Sequence, residues 1–261
     1  MDLGLGGKTA LVLGGGGGLG RAIAKSLVTE GANVAVAGIG SASIDGTVAD
    51  LKAIGGKYIG LIWDLADLSV INANISKIES ELGPVDILIN NTGGPPPASA
   101  AGQDPALWVT QFQSMVLSVI AITDRVLPGM KARRWGRILT STSSGVISPI
   151  PNLAISNALR LSLVGWSKTL AREVGRDGVT ANIVVPGRIA TSRVATLDNA
   201  KAKRERRSVE EVAAEGQDAI PLGRYGKPEE YADVVTFLAS QRAAYITGSV
   251  IRVDGGMIPS I

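Results

Sequence analysis

Short apolar runs alternate with longer amphipathic stretches along almost the whole chain. Runs such as TALVL (9–13) and VDILIN (85–90) predict strands, and the stretches between them predict helices. Because these strands lack polar alternation, they indicate a parallel sheet buried on both faces. Crossovers between parallel strands are right-handed, so the pattern predicts a doubly wound α/β sheet with helices on both faces. The seven predicted strands lie at 9–13, 33–38, 58–64, 85–90, 136–141, 179–187 and 249–254.

One domain is expected. No Pro- or Ser-rich linker and no internal repeat divides residues 1–261. The segment 190–227 is long and charged and interrupts the alternation, so we expect it to be a substrate lid beside the site, with a surface excursion of no role as the alternative. The predicted helices lie at 19–31, 44–54, 67–82, 104–132, 154–175 and 228–240.

Composition excludes several classes of chemistry. The chain has 261 residues, without Cys or His. A Ser-His-Asp triad, a His base, a thiol nucleophile and a His-ligated metal site are therefore ruled out. A carboxylate metal site is the remaining kind, and no carboxylate cluster suggests one, so no metal is expected.

Charge and hydropathy point to an ordinary globular chain. The net charge is +3, which does not imply nucleic acid. The basic run KAKRERR (201–207) is interpreted as a solvated helix face, with a patch for a phosphate-bearing substrate as the alternative. The N-terminus lacks the pattern of a signal peptide, and no apolar stretch of membrane-spanning length is evident. A cytoplasmic protein that contacts neither membrane nor nucleic acid is expected.

A glycine loop follows the first predicted strand and opens a helix. It reads LGGGGGLG at 13–20, and the strand–loop–helix context makes it more specific than a bare glycine pattern. Such a loop brings backbone N–H groups and a helix N-terminus to a pyrophosphate. The pattern predicts a Rossmann-type dinucleotide site using Gly14, Gly18, Leu19 and Gly20; a turn that binds nothing is the alternative.

The choice between NAD and NADP stays open. Dinucleotide folds often carry an acidic residue after the second strand for the ribose hydroxyls, or an Arg for a 2′-phosphate. Here that strand ends in Gly38-Ile39-Gly40-Ser41, which has neither charge. Ser41 or Ser43 can bond either ligand, so the expected cofactor is NAD or NADP.

The segment from Arg137 to Arg172 carries the most specific pattern. It resembles the part of short-chain dehydrogenases/reductases that runs from the catalytic serine into the helix bearing Tyr-x-x-x-Lys. The resemblance puts the serine at Ser143, but places Ser156 where the tyrosine belongs and Arg160 where the lysine belongs. Met115 stands in place of the family's Asn. The resemblance implies catalytic roles for Ser143, Ser156 and Arg160.

The same resemblance covers almost the whole chain and implies further cofactor contacts. NNTG (90–93) is similar to the family's NNAG motif, PGRIAT (186–191) is similar to its PGxxxT turn, and the end of the chain carries VDGG. Each position has a scaffold role as its alternative. The contacts implied in this way are Asp64, Asn90, Gly93, Pro186, Gly187, Ile189 and Thr191.

Loss of the tyrosine has a chemical consequence. Reduction of a carbonyl requires a proton for the developing alkoxide, and a Ser hydroxyl titrates far less readily than a phenol. Arg holds an anion but does not shuttle protons. Ser143 and Arg160 can still stabilise an oxyanion while water supplies the proton. Met115 is interpreted as packing.

Three functions stay open, and the first is favoured. The chain resembles a divergent subgroup similar to 3-oxoacyl-acyl-carrier-protein reductases, which implies an NAD(P)-dependent oxidoreductase acting on a carbonyl or alcohol, small or acyl-linked, with an altered proton relay. The alternatives are a non-catalytic or regulatory dinucleotide-binding protein and a non-redox lyase or isomerase. The resemblance also implies a homotetramer or dimer, and a carrier-docking position at Arg172, assisted by Arg133 and Arg134, for which a surface helix charge is the alternative.

Overall fold

Seven parallel strands form one twisted sheet in the computed structural model, which describes residues 2–261. Their order across the sheet is β3-β2-β1-β4-β5-β6-β7, so the expected doubly wound arrangement is confirmed and every pairing is parallel. The strands are β1 Thr9–Leu13, β2 Asn33–Gly38, β3 Tyr58–Ile62, β4 Val85–Asn90, β5 Gly136–Ser141, β6 Val179–Pro186 and β7 Val250–Val253.

Helices connect the strands and cover both faces. Most lie within a few residues of their predicted bounds. The helix expected from residue 67 begins at Ile71, because Asp67 first caps a short 3₁₀ turn by accepting a hydrogen bond from the Ser69 N–H. The α-helices are α1 Gly18–Thr29, α2 Ser41–Ile54, α3 Ile71–Leu82, α4 Pro105–Phe112, α5 Ser118–Ala132, α6 Ala154–Val174, α7 Ser192–Glu205, α8 Val209–Asp218 and α9 Pro228–Leu238.

Alternate residues of the strands build two separate apolar cores. In β1, Ala10 and Val12 pack in one core, while Leu11 and Leu13 pack in the other. The first core contains residues of α1, α2 and α9, and the second contains residues of α3, α5 and α6. The sheet is therefore covered on both faces, as continuous apolar strands require.

The strand order reverses at β1, and this fixes where a ligand can bind. The chain moves outward from β1 to β3, then returns to place β4 on the other side of β1. The crevice at such a switch point, beyond the carboxyl ends of the strands, is the usual ligand site of open α/β sheets. The glycine loop follows β1, and the segments after β4, β5 and β6 end at the same edge.

The helical run Pro105–Ala132 is interrupted by a π-helical turn, Gln113–Leu117, which joins α4 to α5. By length and composition this run could cross a membrane, although Gln111, Gln113 and Ser114 interrupt its apolar residues, so that the sequence shows no continuous apolar stretch of that length. Core helices of globular proteins often have the same length and apolar composition. Part of its surface, including Met115, packs with α6.

Candidate active site

A cavity of about 450 Å³ opens at the carboxyl edge of the sheet. The glycine loop forms one side, and the segments that follow β4, β5 and β6 form the floor. The start of α6 and the helix α7 complete the wall. Residues from four separate strand ends and from the segment 190–227 therefore meet in one place.

The glycine loop needs glycine at two positions for steric reasons. Gly14 has a φ of +60°, and a Cβ there would lie 2.4 Å from the Asn91 carbonyl oxygen. A Cβ on Gly20 would lie 2.1 Å from the Gly14 carbonyl oxygen, so α1 packs directly on the loop. Both distances are too short for any side chain.

The start of α1 has the properties of an anion site. Gly17 is the N-cap residue and provides no side-chain cap for the first N–H groups of the helix. A Cβ on Gly17 would have no atom within 4 Å, so the loop is open at this point. Gly17, Gly18 and Leu19 line the cavity. Free N–H groups and the helix dipole fit a pyrophosphate here.

The residues after β4 divide into a buried and a cavity-facing set. Asn90 is buried, and its Nδ2 donates to Thr140 Oγ1 at 3.3 Å, while its Oδ1 has no partner among the described residues. Asn90 lies outside the cavity lining, whereas Asn91 and Gly93 belong to it. The hydrogen bond to Thr140 on the neighbouring strand fits the scaffold role that was the alternative for Asn90. Asn91 was not named in advance, although it follows directly in the NNTG motif.

Asp64 is also outside the cavity lining. It is exposed beyond the end of β3, and its Oδ1 accepts a hydrogen bond from the Ala66 N–H at 2.9 Å. Ile39, at the end of β2, is 74% exposed. Neither residue belongs to the cavity lining.

The segment after β6 lines the cavity across from the glycine loop. Gly187 lies so close to the chain end that a Cβ would meet the Asp254 Cα at 2.6 Å. Thr191 caps α7, and its Cγ2 lies 3.5 Å from the position of a Cβ on Gly18. Pro186, Gly187, Ile189 and Thr191, the positions that the family resemblance named for the cofactor, all belong to the lining.

Ser143 caps a short 3₁₀ turn directly after β5. Its Oγ accepts a hydrogen bond from the Gly145 N–H at 3.2 Å and lies on the cavity wall. A hydroxyl has one hydrogen to donate and two lone pairs. Because the internal contact uses a lone pair, the hydroxyl hydrogen of Ser143 is free for a ligand oxygen.

Ser156 and Arg160 are one helical turn apart on α6 and are both buried. The Arg160 Nε donates to Ser156 Oγ at 3.3 Å. One lone pair of the Ser156 hydroxyl therefore accepts a hydrogen bond while its hydrogen is free to donate, as at Ser143. Both side chains line the cavity, so the structure brings together the three residues named from the sequence.

Arg160 is held by backbone carbonyl groups instead of a carboxylate. Its guanidinium donates to the carbonyl oxygens of Ser141 at 3.4 Å, Thr92 at 3.2 Å and Gly93 at 2.9 Å. Burial, followed by repulsion from Arg193, lowers the pKa of Arg160 to about 10. Its positive charge therefore faces the cavity without a counter-ion among the described residues.

Met115 lies in the π-helical turn and is 2% exposed within an apolar cluster that includes Ile155 and Leu159 of α6. This is the packing position expected from the sequence. A thioether among aliphatic side chains does not hold a water molecule as an amide would. The backbone at Met115 is nevertheless π-helical and not α-helical.

Tyr231 is a buried phenol that sequence reasoning missed. It is fully buried on α9 beneath β5, where its hydroxyl and that of Ser141 form a 2.8 Å hydrogen bond. Burial raises the pKa of Tyr231 well above its usual value. It is not part of the cavity lining, so it does not replace the missing tyrosine.

The cavity lining is strongly basic. Its single carboxylate, Asp198, pairs with Arg188 and accepts a hydrogen bond from the Tyr225 hydroxyl at 2.9 Å. None of these contacts was predicted, because the charges of the segment 190–227 carry no periodic signal. The five cationic side chains of the lining are Arg160, Arg188, Arg193, Lys201 and Arg204.

The basic run at 201–207 has paired charges and also reaches the cavity. Lys201 pairs with Glu215 at 2.6 Å, and Arg204 pairs with Glu205 at 2.9 Å, as on a solvated helix face. Lys201 and Arg204 also line the cavity. Within residues 2–261, no group of three or more carboxylates is arranged to hold a metal ion.

The basic residues named for carrier docking lie at the other end of α5 and α6. Arg172 is exposed on α6. Arg133 forms an ion pair with Asp86 at 3.1 Å, and Arg134 donates to the Arg176 carbonyl oxygen at 3.0 Å. Of the three, only Arg172 forms no side-chain hydrogen bond or ion pair with the described residues.

Comparison with known sequences shows similarity over nearly the full chain. A family profile described as enoyl-(acyl carrier protein) reductase matches residues 15–258. The chain is 37% identical over 255 residues to the 3-oxoacyl-acyl-carrier-protein reductase FabG of Escherichia coli K12, covering 96% of this chain and 97% of the relative. It is 33% identical over 251 residues to nodulation protein G of Azospirillum brasilense, covering 96% and 98%.

Solved structures share the fold closely. L-sorbose reductase from Gluconobacter frateurii, complexed with NADPH and L-sorbose, superimposes with a TM-score of 0.94 at 29% identity, over 100% of both chains. A variant of the actinorhodin polyketide ketoreductase with NADPH has a TM-score of 0.92 at 31% identity, over 96% of this chain and 97% of that one.

Proposed function

The chain belongs to the short-chain dehydrogenase/reductase superfamily, and from this premise we propose that it is an NAD(P)-dependent oxidoreductase that acts on a carbonyl or alcohol through an altered proton relay. The observation that carries the proposal is the shared cavity. The glycine loop, the PGRIAT turn and the side chains of Ser143, Ser156 and Arg160 line one space. A nucleotide and a small substrate can therefore meet there.

The residues present fit a dinucleotide. Gly17, Gly18 and Leu19 offer the open start of α1 to the pyrophosphate, as the glycine contacts above indicate. Gly93 and Thr191 flank the inner part of the cavity and would hold the nicotinamide half. When bound, the reduced nicotinamide supplies a hydride. NADPH in the similar solved structures supports NADP or NAD as the cofactor.

Ser143 and Ser156 form an oxyanion site in this proposal. Each hydroxyl accepts an internal hydrogen bond, from the Gly145 N–H and the Arg160 Nε respectively, and keeps its own hydrogen for the cavity. When a substrate carbonyl is reduced, its oxygen gains negative charge. Two fixed hydroxyl donors and the buried charge of Arg160 would stabilise that oxygen most strongly in the transition state.

Water is the proposed source of the proton. In the described part of the lining there is no Tyr, His, Cys or Glu, and Asp198 already accepts hydrogen bonds from Arg188 and Tyr225. Ser156 would pass its hydroxyl proton to the alkoxide and regain one from solvent. Since a positioned general acid contributes roughly 10²–10⁴ in rate, we expect a slow reductase.

A non-catalytic dinucleotide-binding protein is the second candidate. The lack of a Tyr, His, Cys or Glu in the described lining favours it, together with the apolar packing of Met115 where the family carries Asn. It would bind the cofactor without turnover. The lyase or isomerase alternative is favoured by no separate observation.

Assembly and location complete the proposal. We propose a cytoplasmic homotetramer or dimer formed from a single domain, with α7 and α8 of the segment 190–227 as a lid. The exposed apolar side chains of Val109, Phe112 and Leu161 on α4 and α6 are compatible with a helical interface. Neither a membrane nor nucleic acid is a proposed partner.

Calorimetric titration with NADPH and NADH tests the proposal first. We expect micromolar binding of at least one cofactor, with a stoichiometry near one per chain. A Gly18→Val variant should lose this binding, because it places a β-branched side chain in the glycine loop at a residue with positive φ. If neither cofactor binds, in either oxidation state, the oxidoreductase proposal is wrong.

A further inference from the structure

Two guanidinium groups converge on one point of the cavity without a carboxylate. A Cβ on Gly94 would lie 3.2 Å from the Arg193 Nη2 and 3.5 Å from the Arg160 Nη2. The two nitrogen atoms are therefore separated by no more than the sum of these distances. Within residues 2–261 neither guanidinium has an ion-pair partner, although Arg188, Lys201 and Arg204 of the same lining each have one.

Each guanidinium is anchored by carbonyl groups and keeps donors free. A guanidinium has five N–H donors, and Arg160 uses four, which leaves one on Nη1. Arg193 makes a single hydrogen bond, from Nη2 to the Pro95 carbonyl oxygen at 2.9 Å. Two like charges are therefore held together with spare donors, an arrangement that an oxyanion would neutralise.

Prolines and a backbone bridge restrain the loop between them. Three consecutive prolines follow Gly94, and Ala98 bridges to the segment before α6, with its N–H donating to the Asn152 carbonyl oxygen at 2.7 Å. A fixed loop keeps the Pro95 carbonyl group in place, and that carbonyl group positions Arg193. Preorganised donors of this kind bind without a large ordering cost.

The neighbours of the pair indicate which ligand it would meet. The Thr191 Cγ2 lies 3.5 Å from the position of a Cβ on Gly18, so the start of α7 adjoins the glycine loop. Arg193 lies beyond Thr191 and reaches Gly94, beside the Arg160 guanidinium that bonds Ser156. The pair is thus on the side of the proposed oxyanion site.

We propose that Arg160 and Arg193 form an anion clamp, so that the substrate is a small carbonyl or alcohol compound bearing a carboxylate or phosphate. This inference rests on the proposed function for the reacting carbonyl, but the clamp itself is a binding site of the chain. A free carboxylate or phosphate would lie between the two guanidinium groups and place the remainder of the molecule against Ser143 and Ser156.

The clamp is tested by thermal unfolding with small anions at constant ionic strength, using malonate, acetoacetate, inorganic phosphate and glycerol phosphate. Methyl acetoacetate and glycerol are the uncharged matches. We expect saturable stabilisation by at least one anion and none by its uncharged match. Arg193→Gln should weaken the binding of that anion at least about 10-fold, as loss of a charge-assisted hydrogen bond does. Lys203→Gln, on the exposed side of α7, removes the same charge and should retain the affinity.

The outcomes separate the clamp from the cofactor site. If no anion stabilises saturably, or Arg193→Gln binds it as the parent chain does, the clamp is wrong. If Arg193→Gln weakens NADPH or NADP⁺ as much as the small anion, the pair serves the cofactor pyrophosphate and the substrate assignment is overturned. If neither cofactor binds but the anion response holds, the clamp stands and the oxidoreductase proposal fails.

Discussion

Ser143 is the residue whose removal tests the oxyanion site most simply. Its hydroxyl hydrogen is free because its lone pair accepts the Gly145 N–H. Ser143→Ala should lower kcat by about 10²–10³, the usual effect of removing one oxyanion donor, with little change in cofactor affinity. Steady-state kinetics and a cofactor titration measure the two effects. Turnover equal to that of the parent chain would refute the assigned role.

Restoring the family's residues tests the altered relay. Met115→Asn, Ser156→Tyr and Arg160→Lys together return a phenol, an ammonium and an amide to the positions that differ. If only the acid is missing, reduction of model ketones should rise by roughly 10²–10⁴, the range of general acid catalysis. The double change at Ser156 and Arg160 alone is the comparison. No gain in a variant that unfolds at the parent temperature would show that the missing proton donor is not the only defect.

The identity of these residues could be predicted, but their contacts could not. The resemblance to the family names Ser143, Ser156 and Arg160, and the structure brings all three to one cavity. Spacing does not reveal that Arg160 is held by carbonyl groups, or that Arg193 reaches the same point. Those contacts depend on the path of the Pro95 loop and of α7, which no periodicity specifies.

The strand–loop–helix element at residues 9–29 has a steric requirement of its own. Gly14→Ala adds a Cβ at positive φ and 2.4 Å from a carbonyl oxygen, so we expect a loss of about 1–3 kcal/mol in the free energy of unfolding. Gly17→Ala is the matched control, because its backbone is extended and a Cβ there would have no atom within 4 Å. Chemical denaturation should separate the two variants. Equal stability would contradict the assigned geometry.

At the scale of elements, the alternation of strands and helices is sufficient to predict the sheet. The strand runs identify β1 to β7 with errors of one or two residues. The π-helical turn at Gln113–Leu117 was not predicted, because a side-chain pattern does not distinguish a π-turn from the α-helix around it. In the segment 190–227 the sequence suggested only a solvated helix face at 201–207, so the extent of α7, the helix α8 and their contacts with the cavity come from the structure.

At the scale of the whole molecule, the unpaired charge of Arg160 predicts a pH dependence. Burial lowers its pKa to about 10, so the charge is present below that pH and is lost above it. The rate of reduction should therefore fall as the pH rises through about 10. Rates measured from pH 7 to 11 check this, with Ser143→Ala as a comparison that retains the Arg160 charge. A rate that rises steadily across this range would oppose the assigned role.

Stability should change in the opposite sense over the same range. The folded state binds the Arg160 proton less tightly than the unfolded chain, because the charge is buried without a carboxylate. The destabilisation is therefore fully present below about pH 10 and is relieved as the pH rises above it. Arg160→Met should remove this contribution to the slope of unfolding free energy against pH.

The proposed function requires that hydride transfer survives without the family's tyrosine. The most direct measurement is to incubate the protein with NADPH or NADH carrying deuterium on the transferred position and a panel of small oxo acids. Mass spectrometry of the products then detects deuterium on carbon. We expect one deuterium per alcohol formed, with no labelled product from Gly18→Val and much less from Ser143→Ala. Tight cofactor binding with no deuterium transferred to any carbonyl of the panel would contradict it and favour the non-catalytic alternative.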